Sequence, residues 1–276
     1  MGESPHANGV HNRIGWRQRL ARYQGLPVTL DLRMYDEALG EINQLGAGVR
    51  QLSDEALVAR AHEIRARAMA GTRLEDLRSA FFALVREASW RAIRLRPFDV
   101  QVVAALALDG RRIVEMQTGE GKTLAAVMPV ALNALTGRGV HVLTFNDYLA
   151  RRDAEWMAPI YRMVGLSVGF VEQGMSPDQR RGAYLNDVTY VTAKESGFDH
   201  LRDLLATEMS QVVHRRFHFA LVDEADSLLI DERAFRSSLR AASSTSSARF
   251  DGSRIWLRRF DGACTSVSTN SGATSS

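Results

Sequence analysis

Downstream of Pro97, short apolar runs typical of buried strands alternate with longer segments of helical periodicity. Such alternation favours a mostly parallel sheet with helices on both faces. The strand-like runs are RIVEM at 112–116, GVHVLTF at 139–145, SVGFV at 167–171, VTYVT at 188–192 and FALVD at 219–223. The helical segments are KTLAAVMPVALNAL at 122–135, YLARRDAEWMAPIYRMV at 148–164 and FDHLRDLLA at 198–206. We therefore predict an α/β fold.

The stretch before this alternating region predicts three amphipathic helices. A second helix is expected after Ser53, a favourable N-cap followed by two acidic residues, and a third over 72–93. The arginines of these helices are interpreted as a solvated surface. The face of the first helix is formed by residues at helical spacing, namely Tyr35, Leu39, Ile42 and Leu45.

These patterns divide the chain into four parts. Residues 1–34 are predicted to be a lead that is partly disordered, and residues 35–95 a helical N-terminal segment. Residues 96–232 form the predicted α/β domain. Residues 233–276 are rich in serine, lack periodicity and are predicted to be a disordered tail.

Composition limits the class of protein. The chain has 276 residues with 45% hydrophobic and 24% charged residues, which is ordinary for a globular protein. The formal net charge of +3 does not by itself indicate a nucleic-acid partner. A single cysteine, Cys264, excludes a disulfide framework and fits a reducing cytosol. No signal peptide or membrane-spanning run is evident, so we expect a cytoplasmic protein.

The segment EMQTGEGKT has the pattern of a phosphate-binding loop. Gly119 and Gly121 would let the backbone approach phosphate oxygens at the start of a helix that begins at Lys122. Lys122 would reach the β- and γ-phosphates, and the Thr123 hydroxyl would hold Mg²⁺. A strict pattern has glycine where Met116 stands, a departure typical of helicase-like motors. The alternative is a chance glycine-rich turn.

The segment ALVDEAD supplies two further candidates at the end of an apolar strand. Asp223 suits a Mg²⁺ ligand, either directly or through water. Glu224 suits a base that orients and polarises the attacking water. The alternative is a cluster of acidic residues at the start of a helix.

The segment RPFDVQ places Gln101 upstream of the glycine-containing loop. An amide offers a donor and an acceptor, so Gln101 could pair with an adenine edge. The alternative is that Asp99 caps a helix and Gln101 is incidental. His214 and His218 lack metal-ligand spacing and are interpreted as structural.

With these motifs in register, the chain resembles the N-terminal part of the SecA family, the ATPase motors of bacterial preprotein export. The resemblance covers roughly residues 35–232. General DEAD-box helicases share the phosphate loop and the acidic tetrad but differ elsewhere, so an RNA helicase is a weaker alternative. The blocks that carry the resemblance are LSDEAL, LVREAS, RPFDVQ, MQTGEGKTLAA, LNALTGRGVHVLTFNDYLARRDAEWM, GLSVGF, YVTAKESGFDHLRD and FALVDEADSLLIDE.

The resemblance implies a RecA-like P-loop NTPase domain of the DEAD-motor type over 96–232. It implies that Gln101 recognises adenine, that Asp223 and Thr123 serve Mg²⁺, and that Glu224 activates water. Its cofactors would be ATP and Mg²⁺. The residues implied to bind the phosphates are Gly119, Glu120, Gly121, Lys122 and Thr123.

The resemblance also implies partners and a location. These are preprotein substrates and the membrane Sec channel, at the inner face of the cell membrane, with contact to an anionic lipid surface as a further option. Nucleic acid is not expected, and the full-length family is compatible with a homodimer. The less similar first 34 residues leave an accessory form open. A nucleotide-binding fragment without turnover is the main alternative to an active motor.

The stretch after Glu232 departs from the family pattern. The family continuation would be Ala-Arg-Ile-Pro-Leu-Val-Ile-Ala, and the later domains, including one with an arginine finger, are not found in this chain. One coding string for that continuation, with its first base deleted, encodes the sequence found at 233–240. We therefore expect a frameshifted tail and an incomplete sheet, with a genuine disordered tail as the alternative. Sequencing the gene decides between them, since restoring one base should open a SecA-like frame.

Overall fold

A computed structural model describes residues 32–117 and 119–225. The chain divides into two compact units after Glu37. In the first unit, a 3-10 turn at Arg33–Tyr35 is closed by the Tyr35 N–H, which donates to the carbonyl oxygen of Leu32 at 2.9 Å. The predicted disorder of residues 1–31 and of the 233–276 tail lies outside the described residues.

Three helices occupy the predicted helical segment. They are α1 (Asp36–Val49), α2 (Asp54–Met69) and α3 (Leu74–Ile93). The expected N-cap is confirmed, because the Ser53 hydroxyl accepts a hydrogen bond from the Ala56 N–H at 3.2 Å. Helix α2 packs against α3, and its buried residues recur at helical spacing as Leu57, Ala61, Ile64 and Ala68.

The sheet contains four parallel strands in the order β2-β3-β1-β4 within the described residues. They are β1 (Val140–Thr144), β2 (Val168–Phe170), β3 (Val188–Thr192) and β4 (Phe219–Val222). Strand β1 is central: Val140 lies opposite Val188 of β3 and also opposite Phe219 of β4.

Helices cover both faces of this sheet. Tyr190 and Val191 are neighbours on β3, so their side chains point to opposite faces. The Tyr190 hydroxyl lies 3.1 Å from that of Tyr161 in α6, while Val191 packs in a core cluster with Tyr184 of α7. The helices of this region are α4 (Asp99–Asp109), α5 (Lys122–Ala134), α6 (Asp147–Met163), α7 (Pro177–Tyr184) and α8 (Ala193–Leu205).

The predicted α/β class with a parallel sheet is therefore confirmed. The helical segment is not separate from it in space, since α3 packs against α5 and α6. The domain boundaries at 95 and 232 stay predictions. Within the described residues, no helix is long and apolar enough to cross a membrane.

One predicted strand is wrong. The segment RIVEM at 112–116 lies in neither a helix nor a strand, and Ile113 is 95% exposed. The physical reason is pairing, because an apolar run becomes a strand only beside a partner, and no described strand pairs with this one. Helix α7 was not predicted, although Ser176 and Gln179 form a capping box that is visible in the sequence.

Candidate nucleotide-binding site

The candidate phosphate loop turns sharply into α5. Gly119 and Gly121 have φ angles of 91° and 76°, and α5 begins at Lys122 as predicted. Both angles lie in the left-handed region that glycine enters without a steric cost. The side chain of Lys122 is exposed and that of Thr123 is partly exposed. The first turn of α5 therefore presents backbone N–H groups and these two polar side chains together.

The loop is held by contacts within itself. The Glu120 carboxylate accepts a hydrogen bond from the Gln117 N–H at 2.8 Å. The Glu120 N–H in turn donates to the Gln117 carbonyl oxygen at 3.2 Å. The side chain and the N–H of Glu120 thus shape the loop, a role that the sequence did not reveal.

Gln101 connects α4 to this loop. Its amide Nε2 donates to the Glu120 carbonyl oxygen at 2.7 Å, and its Oε1 accepts from the Phe98 N–H at 2.9 Å. The residue is 5% exposed. Asp99 does not provide the helix cap of the alternative interpretation, since its carboxylate accepts from Arg86 and Gln101 bonds the Phe98 N–H. Adenine recognition by Gln101 remains a prediction. The structure shows in addition that Gln101 tethers the loop through the Glu120 carbonyl oxygen.

Asp223 directly follows β4 and extends its pairing. Its N–H donates to the carbonyl oxygen of Leu143 in β1 at 2.9 Å, and its carboxylate accepts from the Glu224 N–H at 3.0 Å. Burial raises the pKa of the Asp223 carboxyl, whereas the positive charges of Lys122 and Arg152 oppose this rise. Helix α5, which begins at Lys122, packs against β4, which ends immediately before Asp223.

Glu224 stands beside this carboxylate in an unusual backbone conformation. Its φ angle is 54°, which is uncommon for a residue with a side chain, and the residue is exposed. Such conformations concentrate at functional sites and in turns. The exposed carboxylate is free of the burial that affects Asp223.

Two residues of α6 join the site without having been predicted. Asp153 is 2% exposed and pairs with Arg152 at 2.7 Å. The charge of Asp153 raises the pKa of the Asp223 carboxyl and that of Arg152 lowers it. The sequence contained this pair within FNDYLARRD, but an adjacent Arg-Asp pair carries no local signal of burial.

The contacts of His214 fit the structural role expected of it. His214 is held by Asp203, with Nδ1 2.8 Å from a carboxylate oxygen, and its ring stacks on Tyr184 at 4.1 Å between centroids. In the described ranges, no cluster of three or more histidine, cysteine or acidic residues could hold a metal ion. A Mg²⁺ site here would therefore need phosphate oxygens and water beside Thr123 and Asp223.

Comparison with known proteins assigns the family. A family profile described as a SecA DEAD-like domain matches residues 22–252. The chain belongs to the SecA family. The protein translocase subunit SecA of Oleidesulfovibrio alaskensis is 52% identical over 201 residues, which is 73% of this chain and 23% of that protein. The SecA subunit of Rubrobacter xylanophilus is 53% identical over 201 residues, or 73% of this chain and 22% of that protein.

A plastid relative shows the same similarity. The chloroplastic SecA subunit of Spinacia oleracea is 50% identical over 208 residues, covering 75% of this chain and 20% of the spinach protein. The chain thus spans about a quarter or less of the curated SecA proteins it matches. The family profile favours the SecA interpretation over an RNA helicase.

Replacing Gly121 with alanine should destabilise the loop. A Cβ at Gly121 would lie 2.3 Å from Nε2 of Gln101, so the amide would leave the Glu120 carbonyl. Together with the left-handed φ angle, we expect a loss of roughly 2 kcal/mol in the free energy of unfolding. Urea unfolding of Gly121→Ala and of the wild type measures this loss. Gly119→Ala is the control, because its Cβ would have no neighbour within 4 Å among the described residues. Equal losses for both variants would contradict the tether.

Proposed function

We propose that this chain is the ATP-binding motor domain of a SecA-like protein translocase that couples ATP hydrolysis to the export of unfolded preproteins. The observation that carries the proposal is the glycine-turned loop into α5 at Lys122, with α5 packed against the strand that leads to Asp223, in a chain of the SecA family. In P-loop motors this pair of elements positions the phosphates and the metal for phosphoryl transfer.

The residues present fit ATP and Mg²⁺ chemically. No described residue lies within 4 Å of a Cβ built at Gly119, and the start of α5 offers N–H groups and the positive end of the helix dipole to phosphate oxygens. Lys122 would pair with the β- and γ-phosphates, and Gln101 would face the adenine edge. Thr123 and Asp223 would hold Mg²⁺, which neutralises charge on the phosphates when bound.

Glu224 is assigned the role of base. Its carboxylate would orient and polarise a water molecule for attack on the γ-phosphate. Its left-handed backbone turns the chain immediately after Asp223. The partly buried position of Asp223 and the exposure of Glu224 favour a division of labour between the metal and the water.

The partners and location are proposed from the family. The relatives are called protein translocase subunits, which supports preproteins and a membrane Sec channel as partners. We infer a cytoplasmic protein that associates peripherally with the inner face of the cell membrane, where an anionic lipid surface can contribute. Homodimer formation and an accessory form belong to the same proposal.

The rival function is a nucleotide-binding module without turnover. In comparable motors an arginine supplied from another domain or partner contributes roughly 10³–10⁵ in rate. We therefore expect the isolated chain to bind Mg-ATP weakly and to hydrolyse it slowly or not at all. Calorimetry and a phosphate-release assay on the purified chain separate the two functions. Stimulation by RNA instead of by signal-peptide-bearing chains would favour a helicase.

Glu224→Gln should leave Mg-ATP binding unchanged and remove residual hydrolysis, because the amide keeps the shape but does not accept a proton. The measurement is single-turnover release of phosphate at saturating Mg-ATP. Glu208→Gln is a suitable control, since Glu208 is exposed and lies before the turn at Met209–Gln211. Unchanged hydrolysis in Glu224→Gln would show that Glu224 is not the base.

A further inference from the structure

A left-handed residue marks the turn that joins α3 to α4, residues 94–98. Helix α3 ends at Ile93, and Arg94 follows with a φ angle of 59°. Such a conformation is uncommon for a residue with a side chain, and it persists where the surrounding structure holds it. The contacts between this turn and its neighbours therefore determine the path of the chain into α4, which carries Gln101.

Arg86 of α3 reaches across this turn. Its Nε donates to the Pro97 carbonyl oxygen at 2.7 Å, and its Nη2 donates to the Asp99 carboxylate at 2.8 Å. Its Nη1 donates to Oδ1 of Asn43 in α1 at 2.6 Å, which ties the guanidinium to a further helix. Because the guanidinium is planar and its donors have fixed directions, serving these three acceptors together fixes its orientation.

Two further side chains of α3 support the same turn, and both are buried. Glu87 accepts a hydrogen bond from Nη1 of Arg96 at 2.9 Å. The Ser89 hydroxyl donates to the Leu95 carbonyl oxygen. Together with the contact of Arg86 to the next carbonyl oxygen, three successive residues of the turn are thus each bonded to α3, and the turn is fixed against that helix.

This turn fixes the amide of Gln101. The Phe98 N–H, at the end of the turn, donates to Oε1 of Gln101, while Nε2 donates to the Glu120 carbonyl oxygen of the phosphate loop. A rotated amide would place its oxygen against the Glu120 oxygen and its NH₂ against the Phe98 N–H, so these two partners decide which end is the donor. Each end keeps one further position for hydrogen bonding, a second N–H and a second lone pair.

An amide fixed in this way distinguishes adenine from guanine. Adenine offers a donor at N6 and an acceptor at N7, which match the remaining lone pair and N–H of Gln101. Guanine offers acceptors at O6 and N7, so it gains one hydrogen bond and one repulsion between acceptors in either orientation of the amide. Loosening the amide therefore lowers the affinity for adenine more than the affinity for guanine.

We propose that Arg86 is a positioning residue for adenine recognition, because through the 94–98 turn it holds the Gln101 amide in the orientation that pairs with adenine. This inference rests on the proposed function, since it concerns the nucleotide of the same site. Ser89 and Glu87 act in the same direction through their own contacts with the turn. Arg86 acts through the turn and not by contact with the nucleotide.

The first measurement needs no nucleotide. Arg86→Lys keeps the positive charge, but an ammonium group does not reproduce the planar fork that serves three acceptors. Ser89→Ala is the milder variant, because it removes only the hydroxyl bonded to Leu95. In both variants the Phe98 N–H should exchange with solvent about tenfold faster or more in NMR hydrogen exchange, since local opening of the turn becomes easier.

The second measurement compares the affinities for Mg-ATP, Mg-GTP and inorganic tripolyphosphate with Mg²⁺ by calorimetry. The wild type should prefer ATP to GTP, and Arg86→Lys should reduce this preference about fivefold, the equivalent of one neutral hydrogen bond. The affinity for tripolyphosphate should stay unchanged, because this ligand carries no base. Ser89→Ala should shift the preference in the same direction, and it decides the matter if Arg86→Lys does not fold.

Arg65→Lys is the matched control. Arg65 is also a partly buried arginine, but it bonds the Gly165 carbonyl oxygen and the Asp187 carboxylate. This substitution removes a comparable set of contacts from a helix that does not carry the turn. It should leave both the exchange of the Phe98 N–H and the preference for ATP as they are in the wild type.

Three results would overturn the proposal: unchanged Phe98 exchange in Arg86→Lys, a preference for ATP that is absent from the wild type or unchanged in the variant, or an equal loss for all three ligands. The last result would indicate a purely structural role. Nucleotide binding that is absent or independent of Lys122, while Phe98 exchange still responds to Arg86→Lys, would instead refute the proposed function and with it the role toward adenine.

Discussion

Lys122→Ala is expected to abolish measurable Mg-ATP binding. The ammonium group stands at the first position of α5, exposed and next to the glycine turn, where phosphate oxygens would lie. Charge-assisted hydrogen bonds contribute about 1.5–3 kcal/mol each. Loss of contacts to two phosphates should therefore weaken binding by roughly a hundredfold or more.

The chain offers a matched control for this substitution. Lys122 and Lys194 are its two lysines, and Lys194 is exposed in the first turn of α8. Lys194→Ala removes the same group and should leave the affinity for Mg-ATP unchanged in calorimetry. Equal affinity in wild type and Lys122→Ala would remove the assignment of the phosphate loop.

His141→Phe should make the protein resist mild acid. Burial, with the nearby charges of His214 and Arg215, lowers the pKa of His141 from 6.5 to about 4. An unfolded imidazole takes up a proton near pH 6.5 and the folded one does so near pH 4. The stability that depends on neutral His141 is thus present above pH 6.5 and is lost as pH falls toward 4, a loss on the order of 3 kcal/mol.

The surroundings of His141 suit the replacement. Its ring lies 5.5 Å from Tyr184 and from Phe217 between centroids, and its Nε2 finds no hydrogen-bond partner among the residues that the structure describes. Phenylalanine keeps the aromatic contacts and places no polar atom there. Urea unfolding at neutral pH and in mild acid should show a smaller acid loss in His141→Phe. The control is His62→Phe, because His62 is exposed. An acid loss in His141→Phe as large as in the wild type would contradict the mechanism.

The sequence predicted the parts of the fold that repeat a strong pattern. Four apolar runs became strands and α5 began at Lys122, because period and glycine placement are local properties. RIVEM failed for a reason that lies outside its own residues: a strand needs a partner, and the described sheet supplies none. Helix α7 was missed because it is short and polar, although its Ser176–Gln179 cap was readable.

The candidate site was predictable in its motifs but not in its connections. Gln101 was singled out for its chemistry, while its bond to the Glu120 carbonyl depends on how α4 packs beside the loop. The burial of Asp153 likewise follows from α6 lying on the sheet. Spacing along the chain does not carry such contacts, which arise from tertiary packing.

The most direct test of the central claim is modification of the two lysines by an amine-reactive reagent, read by mass spectrometry with and without Mg-ATP. Lys122 and Lys194 are both exposed in the free protein, so both should react. The proposed site predicts that Mg-ATP protects Lys122 and leaves Lys194 fully reactive. Equal reactivity of Lys122 with and without saturating Mg-ATP would contradict a phosphate-binding loop at Gly119–Thr123.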